Sequence, residues 1–127
     1  MYRCALAAAA AFCIAAPATA QPFQRTFPQD ALRGALTIIN PPEVVLNGAP
    51  ARLAPAARIR TQRNLIELSG ALVGAKLLVH YTVDSTGLVK DVWILTPEEA
   101  ARRPWPTTPL EAKTWIFDWQ SQTWTKP

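Results

Sequence analysis

Beyond residue 13 the chain contains no cysteine; both of its cysteines, Cys4 and Cys13, sit in the first apolar stretch. Once that stretch is removed there is no thiol, no disulfide and no cysteine metal ligand, although an exported protein is free to use disulfides. Histidine is almost as scarce, His80 being the only one. Without a second histidine or acidic residues spaced like a ligand loop, no metal site and no cofactor are expected. Beyond residue 20 no apolar run reaches the roughly 20 residues that cross a bilayer. The two glycines of Gly70-Ala71-Leu72-Val73-Gly74 lack the partner residues and strand-to-helix setting of a phosphate loop.

What is present begins with an export pattern. Met1-Tyr2-Arg3 gives a positive start, Cys4 to Ala16 is small and apolar, Pro17 breaks the run, and Ala18-Thr19-Ala20 is an A-x-A cleavage site. Cleavage after Ala20 leaves a chain starting at Gln21, expected in the periplasm. Cys13 follows bulky Phe12, where a lipid-anchored cysteine would follow Gly or Ala. Removing 20 of 127 residues leaves 107, enough for one small domain.

The remaining charge is modestly basic. Of 13 Lys and Arg, Arg3 alone precedes the cleavage site, which leaves 12 against 9 acids. Between Glu43 and Glu67 there is no acid, but there are Arg52, Arg58, Arg60 and Arg63. Such a face suits an anionic envelope component or an acidic envelope protein, whereas nucleic acid is not expected in that compartment.

Residues 21–34 read as an extended leader with one helical turn near Asp30–Arg33, tacked down by Phe23 and Phe27. Residues 35–96 read as a β-rich core of short runs with regular turn punctuation. Ala35–Ile39, Glu43–Leu46, Ala51–Leu53, Ala57–Thr61 and Leu65–Leu68 are candidate strands. Asn47-Gly48 signals a type I′ hairpin turn, and Pro50 marks an edge or bulge. The firmest hairpin pairs Leu77–Val83 with Leu88–Thr96 around Asp84-Ser85-Thr86-Gly87, with a left-handed glycine at its end. Straight alternation there sets Val79 opposite Trp93 on the core face and His80 on the other.

Residues 97–127 carry an echo: Thr96-Pro97-Glu98-Glu99 and Thr108-Pro109-Leu110-Glu111 each place Thr at the N-cap, Pro at the first helical position and Glu at the third. Two capped helices are predicted, near 97–102 and 109–115. Ile116–Asp118 and Thr123–Thr125 form a closing hairpin. The whole is a mainly β, α+β fold: a small antiparallel barrel or curled sheet of five to seven short strands, with two short helices near the C-terminus.

Chemistry finds little footing. Ser69, Ser85 and Ser121 have no nucleophile-elbow motif, and a triad would have to use His80. Glu98-Glu99 is explained by helix capping and the helix dipole. All five tryptophans, Trp93, Trp105, Trp115, Trp119 and Trp124, fall in the last 35 residues. They either latch the tail to the sheet or expose a platform, with Trp105 and Trp119 the candidates for exposure.

Val92-Trp93-Ile94-Leu95-Thr96-Pro97-Glu98-Glu99-Ala100, Pro104-Trp105-Pro106-Thr107-Thr108-Pro109 and Thr123-Trp124-Thr125-Lys126 resemble a family of small exported proteins of Gram-negative proteobacteria, which implies location without mechanism. The Leu77–Leu95 hairpin is similar to the carboxyl-terminal domain of TonB-type proteins, which implies partner binding through a strand edge. The expected function is a non-enzymatic periplasmic binding or accessory domain, with Arg52, Arg58, Arg60, Arg63, Trp105 and Trp119 as candidate binding residues. The alternatives are an envelope hydrolase using His80 and a structural protein docking through its Trp-rich tail.

Overall fold

A computed structural model describes residues 24–127. The expected export segment, both cysteines and Phe23 lie outside the described residues. Six strands form the main sheet: β1 (Leu32–Asn40), β2 (Glu43–Leu46), β3 (Ala49–Arg60), β4 (Ile66–Glu67), β5 (Lys76–Val83) and β6 (Val89–Ile94). Two short helices follow, α1 (Pro97–Ala100) and α2 (Pro109–Thr114), then a separate hairpin of β7 (Ile116–Asp118) and β8 (Thr123–Thr125).

The sheet runs β2-β1-β5-β6-β3-β4, and β2 also pairs with β3. One long strand causes this curl. The first third of β3 returns antiparallel along β2, while its far end runs parallel to β6. The expected segments Ala51–Leu53 and Ala57–Thr61 are therefore parts of one strand, and the sheet is mixed rather than antiparallel throughout. It is a curled sheet and not a true barrel. The β3–β6 ladder is interrupted between Leu53 and Arg58, where Pro55 has no amide to donate.

Turn chemistry follows the residues. Asn47 and Gly48 both have positive φ, 53° and 79°, as a type I′ turn requires. Gly87 has φ 86°, and the Asp84 carboxylate accepts from the Thr86 and Leu88 amides, which fixes the β5–β6 turn. In place of a helical turn at Asp30–Arg33, the Ala31 amide closes a tight turn on the Pro28 carbonyl at 3.0 Å. β1 starts directly after it. Arg33 is then a strand residue, and its amide bonds the Pro106 carbonyl at 2.8 Å.

The β5–β6 register differs from straight alternation. His80 pairs with Trp93 and Tyr81 with Val92, yet Val83 pairs with Val89, so Lys90 is the extra residue of a β-bulge. A one-residue slip transfers every later side chain to the opposite face. Trp93 therefore joins His80, and Val92 takes the core position.

These faces build two cores. The concave face holds an aliphatic cluster that includes Leu36, Ile38, Val79, Val89 and Val92, with Tyr81 at its edge. The convex face of β5 and β6 is covered by the leader and the tail through Phe27, Ala31, Trp93, Leu95, Trp105 and Trp124. Burying such rings removes on the order of 150–250 Å² each from water, which is how the leader and the tail are held to the sheet. Both helices have the expected Thr N-cap, but the reciprocal box expected on both forms only on α1. Thr96 and Glu99 complete a capping box on α1, and Thr108 accepts the Glu111 amide on α2.

Candidate functional site

The arginine face lies on the outer side of β3 and the loop beyond it. Alternation along β3 sends Leu53 and Ile59 inward and Arg52, Arg58 and Arg60 outward. Two of these are engaged. Arg52 pairs with Glu43 across the β2–β3 ladder at 3.0 Å, both side chains largely exposed. Arg60 pairs with Asp91 at 3.3 Å and lies over the Trp93 ring at 5.4 Å. Arg58 and Arg63 are exposed and have no ion pair among the described residues.

Directly after Arg63 comes a feature that charge counting did not reveal. Leu65, Ile66 and Leu68 are 63%, 61% and 77% exposed. β4 is only two residues long and ends the sheet, so nothing covers these side chains in the described chain. Ile66 and Leu68 border a hollow of about 280 Å³ together with Pro41, Pro42 and Pro55. Val73 and Ile39 are also exposed, and Val73 bridges Ile38 of β1. Contiguous exposed apolar residues of this kind mark interaction surfaces. The signal was in the sequence: Asn64-Leu65-Ile66-Glu67-Leu68 has no alternation that would bury one face.

His80 is sealed in the second core at 1% exposure. The Arg33 guanidinium donates to its Nε2 from Nε at 3.3 Å and Nη2 at 3.2 Å. A guanidinium only donates, so Nε2 is the acceptor and the proton sits on Nδ1. Nδ1 has no hydrogen-bond partner among the described residues. Burial, then the charges of Arg33, Arg25 and Arg102, push the His80 pKa down to about 2. None of Ser69, Ser85 and Ser121 bonds it. Ser69 opens a 3-10 turn, Ser85 lies in the β5–β6 turn, and the Ser121 hydroxyl meets that of Thr123 at 2.7 Å.

Glu99 is the one buried carboxylate among the described residues, and Arg25 from the leader holds it through two bonds of 2.6 and 2.9 Å. Burial alone would raise its pKa; the Arg25 and Thr96 bonds overcome that and hold it low. The remaining Arg25 donors reach the Thr61 and Ile94 carbonyls at 2.8 and 2.7 Å. This pair ties leader, sheet and α1 together and occupies the Glu99 carboxylate.

The tryptophans divide differently from the expectation. Trp105 is buried, because Pro104 and Pro106 fix its segment against β1 and its Nε1 donates to the Ala31 carbonyl at 2.9 Å. Trp119, at the β7–β8 turn, is 55% exposed. Among the described residues no group of three His, Cys, Asp or Glu is placed to hold a metal, and no helix is long and apolar enough to cross a membrane.

No protein-family model, curated protein or solved structure matches this chain. Neither resemblance drawn from the sequence therefore enters the argument for function, which rests on the Arg58–Arg63 face and its apolar neighbour.

Proposed function

We propose that the protein is an exported, non-enzymatic accessory domain of the periplasm that docks on an anionic envelope surface. The docking elements are Arg58 and Arg63 together with Leu65, Ile66 and Leu68. One observation carries the reading: three large apolar side chains, each more than 60% exposed, lie within ten residues of Arg58 and Arg63, which have no ion pair among the described residues. Apolar residues that enter the headgroup boundary contribute by the area they bury, and each nearby cation adds about 1 kcal/mol against an anionic leaflet. The Met1–Ala20 pattern supports the compartment. The burial of His80, its depressed pKa and its Arg33 partner favour a structural role for it over a hydrolase.

Co-sedimentation with lipid vesicles tests this. Vesicles of phosphatidylethanolamine and phosphatidylglycerol should bind the protein, and phosphatidylcholine vesicles should not. R58Q/R63Q should weaken binding by roughly 30-fold at low salt, two cations being removed. L65S/L68S should weaken it as well, with less sensitivity to salt. Equal binding to both vesicle types, or indifference to both variants, would exclude the reading.

Exposure of Trp119 and Ile116 on the β7–β8 hairpin favours one second reading, docking of the tail on another envelope protein. W119A would then abolish capture of that protein and leave vesicle binding intact.

A further inference from the structure

A second surface, sharing no residue with the docking patch, has the makings of a ligand site. A groove of about 590 Å³ opens between β5, α1 and the tail. Leu78, Pro104, Trp105 and Trp115 give it apolar and aromatic walls, and Arg33, Arg103 and Lys126 give it cations. Among the described residues no carboxylate lines it.

Charge in this region is not balanced locally. Arg33 is buried, and its donors go to the Glu99, Ala100 and Arg102 carbonyls and to His80, all of them uncharged acceptors. The carboxylate within reach, that of Glu99, is committed to Arg25. Arg103 is exposed and has no ion pair among the described residues, and Lys126 has its ammonium 5.2 Å from the Trp115 ring centre. A buried cation is costly to hold without a counter-charge, and Arg33 is the buried one; the exposed Arg103 and Lys126 at the rim add to the positive field of the same groove.

We propose that this groove binds a small anionic ligand with a flat apolar body, its acid group facing Arg103 and Lys126 and its body lying between Leu78, Trp105 and Trp115. Two further observations agree with a strongly positive local field. The Arg33 pKa is lowered, by burial first and by the charge of Arg103 second, and the Glu99 charge offsets this only in part. His80, beneath the groove floor, is depressed by burial and by three guanidinium groups. The half-buried Trp115 ring lines the groove with the Lys126 ammonium 5.2 Å from its centre, which places an aromatic wall and a cation side by side for a ligand that carries both a ring and an acid group.

Naphthalene-2-sulfonate carries both required features and serves as the probe. Calorimetric titration of the purified protein should show saturable binding that also quenches tryptophan fluorescence. Sulfate, which lacks the body, and 2-naphthalenemethanol, which lacks the charge, should each bind at least tenfold more weakly. R103Q/K126Q should lower sulfonate affinity by tenfold or more and reduce its salt dependence. Both side chains are at the surface, so the fold should persist, as judged by an unchanged near-ultraviolet circular dichroism spectrum. W115A should weaken the sulfonate and leave sulfate unaffected. Equal binding of sulfate and naphthalene sulfonate would reduce the groove to a plain cation patch and overturn the proposal. So would unchanged affinity in R103Q/K126Q. Vesicle docking through Leu65–Leu68 should be indifferent to every one of these variants, so the two sites fail or stand separately.

Discussion

The His80 imidazole lies almost flat against the Trp105 indole, ring centroids 4.0 Å apart and planes inclined by 21°. Phe27 meets both rings edge-on, at 4.4 Å from His80 and 5.9 Å from Trp105. Leader, sheet and tail each contribute one ring to this contact. The only histidine of the chain is thus where three separate segments are joined, and the Arg33 guanidinium beside it requires the neutral imidazole as its acceptor. A proton on Nε2 would break that bond and set two cations side by side.

A pH dependence of stability follows. In the unfolded chain His80 titrates near 6.5, whereas in the folded chain burial and the neighbouring guanidinium groups push it down to about 2. Between those values the unfolded state holds the extra proton, so acid favours unfolding. The contribution of neutral His80 is complete above pH 6.5 and is lost progressively as pH falls toward 2. The limiting slope is about 1.4 kcal/mol per pH unit. Urea titrations should show stability dropping by about 2 kcal/mol from pH 7 to pH 5. In H80F the slope over that interval should vanish, whatever its absolute stability. A wild-type curve that is flat across it would contradict the sealed, neutral imidazole.

The Arg25–Glu99 pair should be expensive to break and cheaper to replace. Both side chains are at most 5% exposed. Glu99→Gln leaves the Arg25 charge buried without its partner, and loss of one member of such a pair costs roughly 3–5 kcal/mol. The double variant R25M/E99L removes both charges together and should recover part of that loss, although the Thr61 and Ile94 carbonyls lose their donor. The two urea midpoints, compared at pH 7, measure the difference.

Local chemistry made much of this fold legible. Asn47-Gly48, Asp84–Gly87 and the two Thr-Pro-x-Glu starts act within four residues of themselves, and each forms what its residues dictate. What stayed hidden depends on partners distant in sequence. β3 runs through Pro50 and Pro55 because β2 and β6 pair with different parts of it, so two proline-punctuated fragments become one strand. Trp105 looked like an exposed ring between prolines, but its environment is set by Phe27, Ala31 and His80, far from it along the chain. The arginine face was visible from the acid-free interval 44–66. That only Arg58 and Arg63 remain unpaired depends on Glu43 and Asp91 arriving from β2 and β6.

The bulge at Lys90 is the smallest feature with the largest consequence, and deletion tests it directly. Its hydrogen bonding is local: the Asp91 amide donates to the Thr82 hydroxyl at 3.3 Å, and that hydroxyl donates to the Asp91 carboxylate at 3.3 Å. The side chain of Lys90 is exposed, so Lys90→Ala should stay within about 0.5 kcal/mol of wild type. Deleting the residue removes the extra backbone unit instead. The ladder then returns to straight alternation, with Val79 opposite Trp93. The indole would have to enter the aliphatic core, and Val92 would face Phe27 and Arg60 in its place. Overpacking one face while leaving a void on the other disrupts both clusters at once. The deletion variant should lose the cooperative thermal transition and the near-ultraviolet circular dichroism of its packed tryptophans, while Lys90→Ala keeps both. A deletion variant with native spectra and melting would mean that the sheet tolerates either register and that the bulge does not direct Trp93 to its face.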